Sequence, residues 1–199
     1  MSVEAAYFDV LHAQRADPFG LRDSWYEHRK RTLLLAMLPR RDYREAWEVG
    51  CSIGELTAAL APRCGRLLAT DGSAAAVARA GARTRDLAQV RVRQARHPRD
   101  WPDGRFDLIV FSEVGYYFEA ETLEDMARRF ADTLAPDGSF VACHWRHPFA
   151  PAPLAGDRVH AVLAARLPWP RVCRYRDADF VLDVWSGEPG SLAQREGRR

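Results

Sequence analysis

The stretch Ala46-Trp47-Glu48-Val49-Gly50-Cys51-Ser52-Ile53-Gly54-Glu55-Leu56-Thr57, followed by Leu68-Ala69-Thr70-Asp71, decides the fold. A short apolar run ends in an acid and a glycine, and a second glycine opens a helix-like segment four residues on. The next apolar run ends in Asp71, 17 residues beyond Gly54. This layout belongs to a nucleotide site at the carboxyl edge of a parallel sheet. Glycines let the backbone pass close to a ligand, and the second acid stands where ribose hydroxyls need an acceptor. The first acid narrows the ligand. A pyrophosphate wants backbone N–H groups at a helix N-terminus and no carboxylate nearby. Glu48 suits a cationic ligand instead. S-adenosylmethionine, with an adenosine, a sulfonium, an ammonium group and no phosphate, satisfies both acids. The motif therefore points to methyl transfer.

A chain of 199 residues, 47% hydrophobic and 28% charged, is expected to form one catalytic domain with a sizeable core. Net charge is only +2, with both signs interspersed. Lys30 is the only lysine. The arginine-rich tract from Arg79 to Arg99 reads either as a solvated helix face or as a phosphate-binding patch. Cys51, Cys64, Cys143 and Cys173 form no C-x-x-C pair and no metal-type spacing, which fits a reducing cytoplasm. The first residues show no signal-peptide pattern, and no run approaches the length of a membrane span.

The chain alternates strand and helix. Strands are expected near 43–49, 66–71, 89–94, 106–112 and 138–145, and helices near 54–62, 73–86, 119–135 and 156–166. A weaker helix is expected from Glu4 to Gln14. A second should be opened by the S-x-x-E capping pattern of Ser24 and Glu27 and closed before Pro39. Pro136-Asp137-Gly138 reads as a turn. Arg171–Arg176 and Asp179–Trp185 are too close for a helical crossover and must form an antiparallel hairpin. The expected architecture is an α/β, Rossmann-like, seven-stranded methyltransferase sheet, mostly parallel with an antiparallel C-terminal hairpin. Residues 1–40 would form an N-terminal helical cap, 41–186 the methyltransferase domain, and 187–199 a disordered tail.

Residues just past the carboxyl ends of strands face the ligand crevice in such a sheet. By that rule Ser112 and Glu113 are candidates for the cofactor or acceptor pocket, or simply a capped strand end. Tyr116-Tyr117-Phe118 would line an acceptor pocket or pack under a loop. The densest polar cluster is His144-Trp145-Arg146-His147-Pro148, at the end of the fifth strand. Gly156-Asp157-Arg158-Val159-His160 follows, either as part of the site or as a helix start capped by Asp157.

Together, Tyr7-Phe8-Asp9-Val10-Leu11, Asp17-Pro18-Phe19, Ser24-Trp25-Tyr26-Glu27-His28-Arg29-Lys30, Glu48 to Gly54, Ser112-Glu113-Val114-Gly115-Tyr116-Tyr117, His144 to Pro148 and Gly156 to His160 resemble the NodS family. These are S-adenosylmethionine-dependent N-methyltransferases, and the likeness runs from about residue 5 to 186. It implies methylation of a free amine on a deacetylated glucosamine unit of a chitin-type oligosaccharide. It also implies that Glu48, Gly50, Cys51, Ser52, Gly54, Asp71 and Ser112 hold the cofactor, with Trp25, Tyr26 and Arg29 closing over it. The acceptor would sit among Glu113, Tyr116, Tyr117, His144, Trp145, Arg146, His147 and His160. The chain departs from the family at Ala152, where an aromatic residue commonly stands.

Transfer from a sulfonium is an in-line displacement, so alignment and exclusion of water are the enzyme's main task. The acceptor nitrogen must be neutral. His144 or His147 is expected as base, with Glu113 orienting the acceptor. Amine methylation needs no Lewis acid, and no metal is expected. The alternatives are another small amine or hydroxyl acceptor, a nucleic-acid substrate on the arginine tract, and a non-catalytic S-adenosylmethionine-binding protein. The near-zero net charge argues against nucleic acid, and a membrane partner is not expected.

Overall fold

The computed structural model describes Val3 and residues 5–198. Seven strands form one sheet: β1 Tyr43–Val49, β2 Cys64–Asp71, β3 Val90–Gln94, β4 Phe106–Ser112, β5 Leu134–Trp145, β6 Arg171–Arg176 and β7 Phe180–Ser186. Their order is β3-β2-β1-β4-β5-β7-β6. The β3–β2, β2–β1, β1–β4 and β4–β5 pairs are parallel, and β7 runs antiparallel to both β5 and β6. This is the expected methyltransferase sheet. The order reverses at β1, between β2 and β4, and the crevice outside the carboxyl ends opens there.

Among the described residues there are seven α-helices: α1 Ala5–Gln14, α2 Trp25–Met37, α3 Glu55–Leu60, α4 Ala74–Arg83, α5 Ala120–Thr133, α6 Gly156–Arg166 and α7 Leu192–Arg195. None of the helices among the described residues is long and apolar enough to cross a membrane. Side-chain alternation along the strands divides the core. Trp47, Ile109, Phe111 and Phe140 pack with Phe130 of α5 and Leu163 of α6. Ala46, Leu108, Val110 and Val141 pack with Leu34 of α2, Leu38 just beyond it and Leu60 of α3. Each fully buried large side chain contributes roughly 1.5–3 kcal/mol.

Differences from expectation have local causes. The helix expected near 54–62 ends at Leu60, because Pro62 draws Ala61–Arg63 into a 3-10 turn. β5 begins at Leu134, and the Pro136-Asp137-Gly138 turn becomes an irregularity within it: partners jump from Leu134 to Ser139 while β4 advances only from Phe106 to Leu108. The expected first helix includes Glu4, which lies outside the described residues. Within the segment expected as a tail, Ser191 and Gln194 form a capping box over α7, and Arg195 donates to the Pro39 carbonyl.

Candidate functional site

The turn after β1 is built from left-handed residues: Gly50 (φ 78°), Ser52 (φ 47°) and Gly54 (φ 84°). A Cβ on Gly50 would lie 2.1 Å from Val114 Cγ2, and one on Gly54 would lie 2.9 Å from Ala80 Cα in α4. The two glycines therefore admit, respectively, the turn after β4 and the helix after β2. The Gly50 and Cys51 amides donate to the Thr70 carbonyl at 2.7 and 2.9 Å, stitching the turn to β2. Asp71, the last residue of β2, accepts the Ser52 amide (2.8 Å) and the Ser73 amide (2.9 Å). Glu48 is 2% exposed and accepts the Thr57 hydroxyl at 2.6 Å. Burial pushes its carboxyl up to about 8.

Beyond β4, Glu113 adopts a left-handed conformation (φ 58°). Its Oε1 accepts Lys30 Nζ at 2.7 Å, and its Oε2 accepts the Tyr116 hydroxyl (2.6 Å) and the Trp145 amide (3.0 Å). Lys30, 6% exposed, also donates to Glu27 Oε1 at 2.8 Å and lies 5.0 Å from the centre of the Tyr26 ring. Burial opposes its charge, but Glu113 and Glu27 outweigh that and hold it protonated. Burial raises the Glu27 carboxyl, with Lys30 pulling the other way.

Both groups of acids open on one cavity of about 990 Å³, at the upper end of the range of ligand pockets, about 300–1,000 Å³. Of the expected site residues, Tyr26, Glu48, Gly50, Cys51, Ser52, Asp71, Ser112, Glu113, Tyr116, Tyr117 and Trp145 line it. Polar atoms without partners among the described residues gather in its wall: Ser52 Oγ, Tyr26 Oη, His97 Nδ1, and Nδ1 of His12, a residue 1% exposed on α1. Buried polar atoms are normally paired, so four orphans around one cavity fit a polar ligand.

The other expected residues stand outside the lining of this cavity. Trp25 is 73% exposed and stacks on His28. Arg29 ties α2 to the β6–β7 hairpin through Asp177 (2.9 Å) and the Tyr175 hydroxyl. Arg146 grips Asp157 at 3.1 Å. His147 is exposed and meets Asp179 at 3.2 Å. His144 and His160, 0% and 1% exposed, contact each other behind the cavity wall, and Nε2 of His144 is occupied by the Gly115 amide at 3.0 Å. Neither His144 nor His147, the expected bases, lines the cavity. Gly54 supports the turn without lining the cavity.

His12, Glu27 and Lys30 were not expected in the site. Glu27 reads as a capping residue, and its amide does donate to the Ser24 hydroxyl oxygen, while its side chain turns to Lys30. The signal for Lys30 is its rarity, as the one lysine in a chain that otherwise uses arginine.

The sequence matches the profile of Nodulation protein S (NodS) over residues 8–150. Nodulation protein S of Sinorhizobium fredii is 31% identical over 138 residues, covering 67% of this chain and 64% of that protein. The aligned part thus spans less than two thirds of that relative's length. The crystal structure of N-methyltransferase NodS from Bradyrhizobium japonicum WM9 with S-adenosyl-L-homocysteine is 26% identical, with a TM-score of 0.79 over 94% of this chain and 98% of that one. A Pseudomonas syringae protein assigned as a methyltransferase is 48% identical, with a TM-score of 0.74 over 82% of this chain and 99% of its own. The chain belongs to the NodS family.

Proposed function

We propose that the protein is an S-adenosylmethionine-dependent N-methyltransferase acting on the free amine of a deacetylated glucosamine unit in an oligosaccharide. The observation that carries this reading is the pairing of two acid-lined ends in one cavity, Glu48 with Asp71 and Glu113 with Glu27. The Bradyrhizobium relative, an N-methyltransferase bound to the demethylated cofactor, supports it. Asp71 receives the ribose hydroxyls, Glu48 the ammonium group, and Ser52 Oγ and the glycine turn the remaining polar edge. The cofactor supplies a methyl group activated on a sulfonium.

At the other end, Glu113 has accepted three donors and keeps room for a fourth, since a carboxylate offers about four lone-pair sites. That site takes an N–H of the acceptor and turns the nitrogen lone pair toward the methyl group. An amine of this kind titrates near 7.7–8.0, about the value of an α-amino group, so a modest push suffices. Glu27 holds Lys30 on Oε1, and Oε2 takes the proton. Desolvation makes Glu27 a stronger base than an ordinary carboxylate. Lys30 keeps the paired acids from repelling each other. Tyr116, Tyr117 and Trp145 wall this end against water.

Incubation with S-adenosylmethionine and glucosamine oligomers carrying one free terminal amine should give a mass gain of one methylene, lost when that amine is acetylated. No gain, with cofactor binding confirmed in parallel, removes the sugar from the reading and leaves the methyl-donor site.

Glu48 sets a pH dependence. With its carboxyl near 8, the free protein holds Glu48 protonated at neutral pH. A bound ammonium favours the ionised form, so binding releases a proton. Affinity for S-adenosylhomocysteine is therefore expected to rise with pH up to about 8, by at most about tenfold per unit, and then level off. Calorimetry in buffers of different ionisation enthalpy counts the proton. A pH-independent affinity, or the same slope in Glu48→Gln, rejects the assignment.

A further inference from the structure

The two most distinctive segments of the sequence, His144 to Pro148 and Gly156 to His160, meet behind the cavity. Gly156 lets them meet: a Cβ there would lie 2.1 Å from the Trp145 carbonyl oxygen and 3.1 Å from His144 Cβ. α6 thus starts directly against the end of β5, and its next turn carries His160 to His144.

A single file of polar contacts results. Arg174 donates to both oxygens of Asp183 at 2.7 and 2.8 Å. Asp183 Oδ2 is 2.7 Å from His160 Nδ1. His160 Nε2 is 3.1 Å from His144 Nδ1, and His144 Nε2 is 3.0 Å from the Gly115 amide nitrogen. The two histidines and Asp183 are at most 1% exposed. Arg171 (3.6 Å) is the other cation facing Asp183, and Asp157 lies on the same turn of α6 as His160.

Both ends of this file have fixed polarity. An Arg-paired carboxylate only accepts, and a backbone amide only donates. His160 must therefore donate from Nδ1 and accept at Nε2, and His144 must do the same. One proton arrangement satisfies every contact, with two neutral rings, each protonated on Nδ1. Burial favours those neutral forms, driving both imidazoles below their ordinary value despite the pull of Asp183 on His160. A proton on His144 Nε2 would set a donor against the Gly115 donor.

We propose that Asp183, His160 and His144 are positioning residues that hold the turn after β4, and so aim Glu113 and Tyr116 at the acceptor. The turn needs holding. Glu113 is left-handed, and Gly115 is packed so closely that a Cβ would lie 2.5 Å from Val159, 2.8 Å from Phe111 and 2.9 Å from His144 Nε2. The Gly115 amide is the turn's tie to this buried frame, and it lies between the two residues whose side chains meet at 2.6 Å. None of the three positioning residues lines the cavity. The proposal rests on the reading that Glu113 and Tyr116 hold the acceptor amine.

The test compares His144→Phe, which removes the acceptor for the Gly115 amide, with His144→Gln, whose Oε1 restores one. Removing a buried acceptor is worth about 30-fold. His144→Phe should therefore lower kcat/KM for the amine by about that factor, while S-adenosylhomocysteine affinity stays within about threefold. His144→Gln should recover most of the loss. Two readouts need no acceptor. Imidazole ¹⁵N shifts of the wild type should show both rings protonated on Nδ1. Hydrogen exchange at the Gly115 amide should quicken in the Phe variant and not in the Gln variant. If the wild type methylates no amino sugar, the reading of the acceptor fails while these readouts still decide the relay. Equal behaviour of the two variants, loss of cofactor affinity in step with activity, or an Nε2-protonated ring overturns the proposal.

Discussion

Asp71→Ala is expected to weaken S-adenosylhomocysteine binding by about 100-fold or more. Two losses combine. On the proposed reading the ribose hydroxyls lose a buried charged acceptor, and hydrogen bonds to charged groups are worth about 1.5–3 kcal/mol each. Two of them at the low end already amount to ~3 kcal/mol, or about two decades in Kd. The Ser52 and Ser73 amides also lose the oxygens they now reach at 2.8 and 2.9 Å. Ser52 is a non-glycine residue at φ 47°, so the turn is released as well as stripped of its acceptor. Asp71→Asn keeps one carbonyl oxygen and should fall between the variant and the wild type. Titration calorimetry of the three proteins measures this directly, and an Asp71→Ala Kd within threefold of wild type would refute the role given to Asp71.

Glu113→Gln should leave that affinity nearly unchanged and lower kcat/KM by about 100-fold or more. Glu113 is surrounded by donors: Lys30, the Tyr116 hydroxyl and the Trp145 amide. A glutamine must turn its own NH₂ toward one of them, and Lys30 loses one of the two carboxylates that compensate its burial. Breaking a buried pair from one side costs about 3–5 kcal/mol, so a lower melting temperature should accompany the lost activity. The split between cofactor binding and turnover separates this variant from Asp71→Ala. Activity within fivefold of wild type would remove Glu113 from acceptor handling.

The architecture was legible because its signals are local and periodic. Glycine and acid at successive strand ends, the alternation of strand and helix, and the short link between the last two strands each constrain the fold independently. Boundaries were less so, because the turn at Pro62 and the Leu134–Ser139 irregularity are local departures from a regular period. In the site, strand-end logic identifies which residues reach the crevice edge but not which side of the sheet each faces. Trp145 lines the cavity and contacts Tyr26, while its neighbour His144 points to the opposite face, against Phe111 and α6. On α2, Tyr26, Lys30 and Leu34 share one face at helical spacing and line the cavity, whereas Trp25 and Arg29 fall outside it. Motif membership grouped all of these together. Only the rotation of each element separates ligand contact from scaffold.

The lone lysine has a practical consequence. Apart from any α-amine, the chain offers amine-selective acylating reagents a single target, and that target is protonated and enclosed by Glu27, Glu113 and the Tyr26 ring. Acylation of Lys30 requires its ammonium to leave the carboxylates of Glu27 and Glu113 and give up its proton. Its acylation rate is therefore a clock for the breaking of these two ion pairs in the untouched native protein, readable without introducing a reporter group.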